Sequence, residues 1–228
     1  NYYQPYNAVT NPSGYNNDNE RTQREHALLQ NAISFIASEV PDDLDIDADD
    51  DDNVDNVTFL VYGFPGGWAD LLWPHRWALY TVESYINGKR VWDYNFNLAA
   101  GPYFSVGTLC HEFGHSLGAP DLYHYWDDSA PVAVGGWDVM DATADIPQWP
   151  SAYIKYRYFD WIELIDASGG GTFALNPLAL PDNNAYRLDS SNPNEYFVIE
   201  YRTQEGMYDV YTPGNNQGIV IYRVNNLY

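Results

Sequence analysis

His111 and His115 stand four residues apart, with Glu112 between them and Asp121 six residues after the second. At about 100° per residue of helix, the two imidazoles point within about 40° of each other, so both can bind one ion. Glu112 lies on the flank of that face, within reach of a water on the ion but poorly placed to be a ligand. Gly118 can take the positive φ that ends a helix and turns the chain back. Pro120 prevents the helix from resuming, and Asp121 then presents a carboxylate oxygen. The pattern is H-E-x-x-H with a following Asp: two nitrogens, one carboxylate and a position open to water, the donor set of a catalytic zinc site. Structural zinc is usually closed by four ligands rich in Cys, and this chain has one Cys.

Those side chains need a helix to carry two of them and a turn to deliver the third. The spacing predicts a metal helix over 105–118 with Ser105 as N-cap. Cys110 points about 100° away from the ligand face and reads as a small buried hydrophobe. Upstream, residues 1–19 lack periodicity and read as an extended arm. Apolar residues from Leu28 to Val40 then fall at helical spacing, which predicts a helix from Asn19 to Val40 with Arg21, Arg24 and Glu25 toward solvent. His26 and His75 read as structural histidines. Val57–Tyr62 has the β-branched content of a buried central strand. Trp77–Val82 and Arg90–Asn95 read as strands around an Asn87-Gly88 turn. A second amphipathic helix is expected over 150–161. Alternating runs at Tyr196–Tyr201 and Ile219–Val224 predict a β-rich end.

The stretch from Asp42 to Asp55 holds nine Asp. Asp47, Asp49, Asp51, Asn53 and Asp55 alternate, and oxygens at every second position of a tight loop can wrap one hard cation such as calcium. The EF-hand pattern is only partly met, because Asp52 stands where Gly is usual and Thr58 where the final Glu is usual. A solvated charge run is the plain alternative.

H-E-x-x-H-x-x-G-x-x-D looks like a metzincin motif with Asp in place of the usual third His. Together with Gly135-Gly136-Trp137-Asp138-Val139-Met140-Asp141 it resembles the secreted bacterial immune inhibitor A family of metallopeptidases. The acidic segment leading into Val57 resembles the corresponding stretch of that family. The resemblance implies an α+β, zincin- or metzincin-like catalytic domain: a mixed twisted sheet, an N-terminal helix, an active-site helix and a β-rich C-terminal lobe. It implies His111, His115 and Asp121 as zinc ligands, Glu112 as general base and Met140 as the Met-turn residue beneath the metal. It favours Asp121 over His124 as third ligand, and it makes Leu122–Trp137 a candidate pocket wall. Asn95–Ala100 is placed beside the cleft, as a strand able to pair with substrate. The position of Arg223 is often His in the family.

At 228 residues the chain can bury one substantial core, so a single domain is expected, with lobes over 1–118 and 119–228. Aromatic residues make up 17%, which marks a folded protein. A net charge of −22 argues against nucleic acid or an anionic membrane as partner. No apolar run approaches the length of a membrane span, and the chain does not open on a leader, so it is expected to begin after a removed one. A zinc endopeptidase acting on protein or peptide, secreted, monomeric and stabilised by calcium, is the expectation. A second reading is a secreted calcium-stabilised binding or adhesion module with a vestigial metal site, its Tyr and Trp serving recognition. A zinc hydrolase of non-peptide substrates shares the motif.

Overall fold

The structure is a computed structural model, and it describes residues 1–100, 104–125, 129–182, 185–214 and 217–227. The chain divides into two compact units, 1–104 and 105–228. The metal helix therefore belongs with the residues that follow it, whereas the expected lobes parted after residue 118. Helices and small sheets are mixed in an α+β arrangement, but the one mixed sheet expected is replaced, among the described residues, by three.

The first unit begins with a folded segment, not the extended arm expected. The Asn11 amide donates to the carbonyls of Asn1 at 2.8 Å and Pro5 at 2.9 Å, and Tyr15 is buried. Side chain to backbone bonds of this kind leave no hydrophobic period to read. Helix α1 (Asp18–Ile36) follows, with the Asn17 side chain capping Glu20 N–H and a short 3₁₀ turn at Ala37–Glu39. Leu29 and Ile33 join the core.

Glu25 corrects the expectation of an exposed face: it is buried, accepts from the Tyr94 hydroxyl, and lies 3.1 Å from His75 Nε2. Burial opposes its charge, but His75 and Tyr94 outweigh that and hold the carboxyl below its ordinary range. His26 is fully buried against the Thr81 hydroxyl at 2.6 Å, and His75 stacks on Phe96, so both are packed structural histidines as read from sequence.

Six strands follow: β1 (Asn53–Val54), β2 (Val57–Val61), β3 (His75–Ala78), β4 (Tyr85–Ile86), β5 (Lys89–Val91) and β6 (Asp93–Leu98). They form sheets of order β1-β5-β4 and β2-β6-β3. The central strand is β6, buried at every residue, while β2 is an edge strand with Leu60 exposed. The β-branched run was a misleading cue, because β6 buries polar residues, and its Asp93 is held by both Asn56 and Arg76. Since β2 and β6 are parallel and β3 and β6 antiparallel, both edges of β6 are taken. The expected pairing of Asn95–Ala100 with substrate is thus excluded over the strand residues. The hairpin across Asn87 (φ 49°) and Gly88 (φ 81°) forms as predicted, but it joins Tyr85–Ile86 to Lys89–Val91 and not Trp77–Val82 to Arg90–Asn95.

The second unit contains α2 (Val106–Ser116), α3 (Ala152–Arg157) and a four-stranded sheet of order β10-β9-β8-β7. Its strands are β7 (Leu164–Asp166), β8 (Ala185–Asp189), β9 (Glu195–Thr203) and β10 (Gln217–Asn225). Alternate residues of β9 point inward, so Tyr196 and Val198 pack with Ala152 and Leu178. The predicted β-rich end and second helix are present, and Arg223 sits on the exposed side of β10.

Candidate metal centre

Helix α2 starts where Ser105 Oγ accepts from Thr108 N–H at 3.0 Å. It ends at Gly118, whose φ of +94° lets its N–H bond His115 O and the Ala119 N–H bond Gly114 O. Gly114 is required by space. A Cβ there would lie 2.6 Å from Met140 Sδ, so the fully buried Met140 fits beneath the turn of helix that links the two histidines.

His111 Nδ1 lies 2.8 Å from Val139 O, and His115 Nδ1 lies 2.8 Å from Ala119 O. A carbonyl only accepts, so each ring carries a proton on Nδ1, and in the neutral ring Nε2 is then a lone pair. Those two Nε2 atoms stand 2.9 and 3.3 Å from one oxygen, Asp121 Oδ1. That oxygen is buried, and no hydrogen bond reaches it. Three lone-pair donors converging on one point repel unless a proton or a cation sits among them. Burial opposes charge on both imidazoles, yet the Asp121 carboxylate and the two carbonyls raise their pKa above the ordinary value. The same contacts hold the Asp121 carboxyl well below the usual range, despite burial. The donor set and the bare oxygen fit a zinc ion.

Glu112 is buried, and its charge acts on both His111 and Tyr123. The other oxygen of Asp121 accepts from the Tyr125 hydroxyl, and the Tyr123 ring lies over His111 at 6.3 Å. The chain thus brings together His111, Glu112, His115 and Asp121. His124 is exposed and stands outside the cluster. Residues 126–128 of the expected pocket wall lie outside the described residues. Cys110 is exposed, not buried as expected, because its helical face turns away from the histidines with Phe113 and Leu117, toward an apolar cavity of about 190 Å³. Those apolar neighbours push its thiol pKa up.

Residues 63–150 match the family model described as the catalytic domain of immune inhibitor A peptidase M6. That stretch belongs to the immune inhibitor A peptidase family. It contains His111, His115, Glu112, Asp121 and Met140, so the residues of the cluster all lie inside the stretch that is similar to a metallopeptidase catalytic domain. No curated protein matches the chain. Nothing in the immune inhibitor A match supports the binding-module alternative. Among the described residues no helix is long and apolar enough to cross a membrane.

The acidic loop is a second cluster. Carboxylate oxygens of Asp47, Asp49 and Asp55 lie within 4.8 Å of one another. Asp51 is not in that group, and its side chain accepts from the Asn53 amide at 3.0 Å. Lys89 from β5 reaches Asp47 at 2.7 Å and Asp52 at 2.9 Å.

Sequence reasoning missed the carbonyls of Val139 and Ala119, since backbone acceptors leave no mark in composition. It also passed over Tyr125 as a partner of Asp121. The spacing of four residues to that tyrosine was its one available signal.

Proposed function

We propose that the chain is a secreted zinc endopeptidase in which His111, His115 and Asp121 hold the ion and Glu112 is the general base. The observation that carries this is the aim of two Nε2 atoms at a single carboxylate oxygen, with a carbonyl holding each ring from its Nδ1 side. Bound zinc supplies Lewis-acid polarisation of the scissile carbonyl and lowers the pKa of a water toward about 7. The Val139 and Ala119 carbonyls fix both rings in the tautomer that presents Nε2. Glu112 takes the proton from the attacking water and passes it to the leaving amine. Asp121 contributes a negative charge where three imidazoles would contribute none, which softens the Lewis acidity of the ion. Met140 serves as the Met-turn residue, supporting α2 from beneath.

Replacing Glu112 by Ala is expected to leave zinc bound and to lower the rate by about 10²–10⁴-fold. Casein hydrolysis by that variant at the wild-type rate would remove Glu112 from its role.

We further propose calcium at Asp47, Asp49 and Asp55. Asp49 is supported as a site of unrelieved repulsion: the neighbouring Asp51 charge raises its pKa. Lys89 already neutralises Asp47 from the other side.

A further inference from the structure

We propose that Arg202 is a positioning residue for the metal centre, acting on His111 through the Trp137–Met140 turn. The inference rests on the reading of His111, His115 and Asp121 as zinc ligands. Arg202 lies on the inner side of β9 and is 1% exposed. All five of its N–H donors have acceptors. Nε bonds Glu200 at 2.6 Å, and Nη1 bonds Asp209 at 2.8 Å and Trp149 O at 3.3 Å. Nη2 bonds Trp137 O at 2.9 Å and Trp149 O at 3.2 Å. One planar group thereby ties the C-terminal sheet to two segments that flank the centre.

The turn itself is short. Trp137 O is held by Arg202, and the next side chain, Asp138, accepts Met140 N–H at 2.8 Å and Ser151 N–H at 2.7 Å. The following carbonyl, Val139 O, is the acceptor of His111 Nδ1–H. Only one residue, Asp138, therefore separates the carbonyl that Arg202 grips from the carbonyl that orients the first imidazole. Glu200 extends the clamp by accepting Ala152 N–H at 2.6 Å, and Asp209 does so by accepting Trp149 N–H at 2.8 Å.

A fully buried guanidinium is costly to desolvate, and buried ion pairs often add little net stability. What such a network fixes is a single geometry, because a rigid five-donor fork accepts few arrangements of its partners. Here the arrangement it fixes ends on the ligand's outer hydrogen bond, the type of contact that tunes metal affinity.

The test uses the whole chain. Zinc affinity is measured by competition with a chromophoric chelator, and the visible spectrum of the cobalt-substituted protein reports ligand geometry, in wild type, Arg202→Lys and Asp209→Ala. Circular dichroism establishes that each is folded at the working temperature. Lysine keeps the charge but has three donors on a flexible stem, so Arg202→Lys is expected to bind zinc about tenfold more weakly and to shift the cobalt band. Asp209→Ala, which leaves the arginine but removes one acceptor, shifts both in the same direction by less, and it decides alone if Arg202→Lys does not fold. A folded variant with wild-type affinity and an unmoved band overturns the inference, since loss of stability by itself alters neither. A wild-type chain that binds no zinc overturns the zinc reading and this inference with it.

Discussion

Asp121 in the second unit and Asp47 in the first are both largely buried carboxylates among potential ligands, but their surroundings are opposite. Asp121 Oδ1 faces two imidazole Nε2 atoms and has no hydrogen bond. Asp47 spends its oxygens on the backbone N–H groups of Asp51 and Asp52 and on Lys89. Around Asp121 the neighbours hold the candidate ligands through atoms that an ion would not need, so three donors stay aimed at one point. The loop satisfies part of its own charge and leaves Asp49 and Asp55 exposed at its surface. The difference teaches that a preorganised centre is recognised by unsatisfied atoms, and an adaptable one by carboxylates that already have other partners.

The sharpest way to break this contrast is to delete one carboxylate from each cluster. Asp121→Ala is expected to lose zinc and about 10³-fold or more of the activity, the scale of several kcal/mol of transition-state stabilisation. Asp49→Ala, by contrast, keeps its activity when assayed cold. Metal content by mass spectrometry with casein hydrolysis reads both, and equal losses would erase the distinction.

Gly114→Ala probes the support beneath the helix. The added methyl displaces Met140 at an overpacking cost of about 1–3 kcal/mol, offset by up to about 1 kcal/mol of helix propensity. Urea unfolding with zinc titration should show lower stability and weaker zinc binding together; a variant as stable and as tight as wild type would show that Met140 yields freely.

Calcium is expected to raise the melting temperature of the wild type, and to do so less in Asp49→Asn, with the effect fading at high salt. Calorimetry showing no heat and no shift on adding calcium to metal-stripped protein would reduce the loop to a solvated charge run.

The smallest effect concerns pH and separates the histidines by sign. Burial pulls the His26 pKa below its ordinary value of 6.5. The unfolded chain therefore takes that proton first, and the stability His26 confers is complete above about 6.5 and declines as pH falls below it. In metal-free protein the raised values of His111 and His115 act oppositely: their contribution is complete below 6.5 and is lost as pH rises through the folded values. Amide exchange followed across pH 5–8 should show protection around His26 falling with acid while that around His111 holds. Parallel behaviour of the two regions would contradict it.

The residues of the centre were legible because helical geometry is local: the spacing of His111, His115 and Gly118 fixes direction and ending without help from the rest of the chain. The β-rich end was legible too, since Tyr196–Tyr201 alternates with a solvent side and a core side. The central strand was not, because Asp93, Asn95 and Asn97 look exposed until Asn56 and Arg76 arrive to satisfy Asp93. The same holds for Glu25, which tolerates burial only through Tyr94 and His75, distant in the chain.

Sequence by itself determined which side chains share a helical face, where that helix stops, and which carboxylate follows it, because dihedral preferences and the 3.6-residue period act over a few residues. Tertiary structure alone decided which carbonyls set the imidazole tautomers, which glycine admits Met140, and where Arg202 spends its five donors. Those outcomes depend on contacts between segments far apart in the chain, and a buried polar group is settled by whichever partner the fold brings to it.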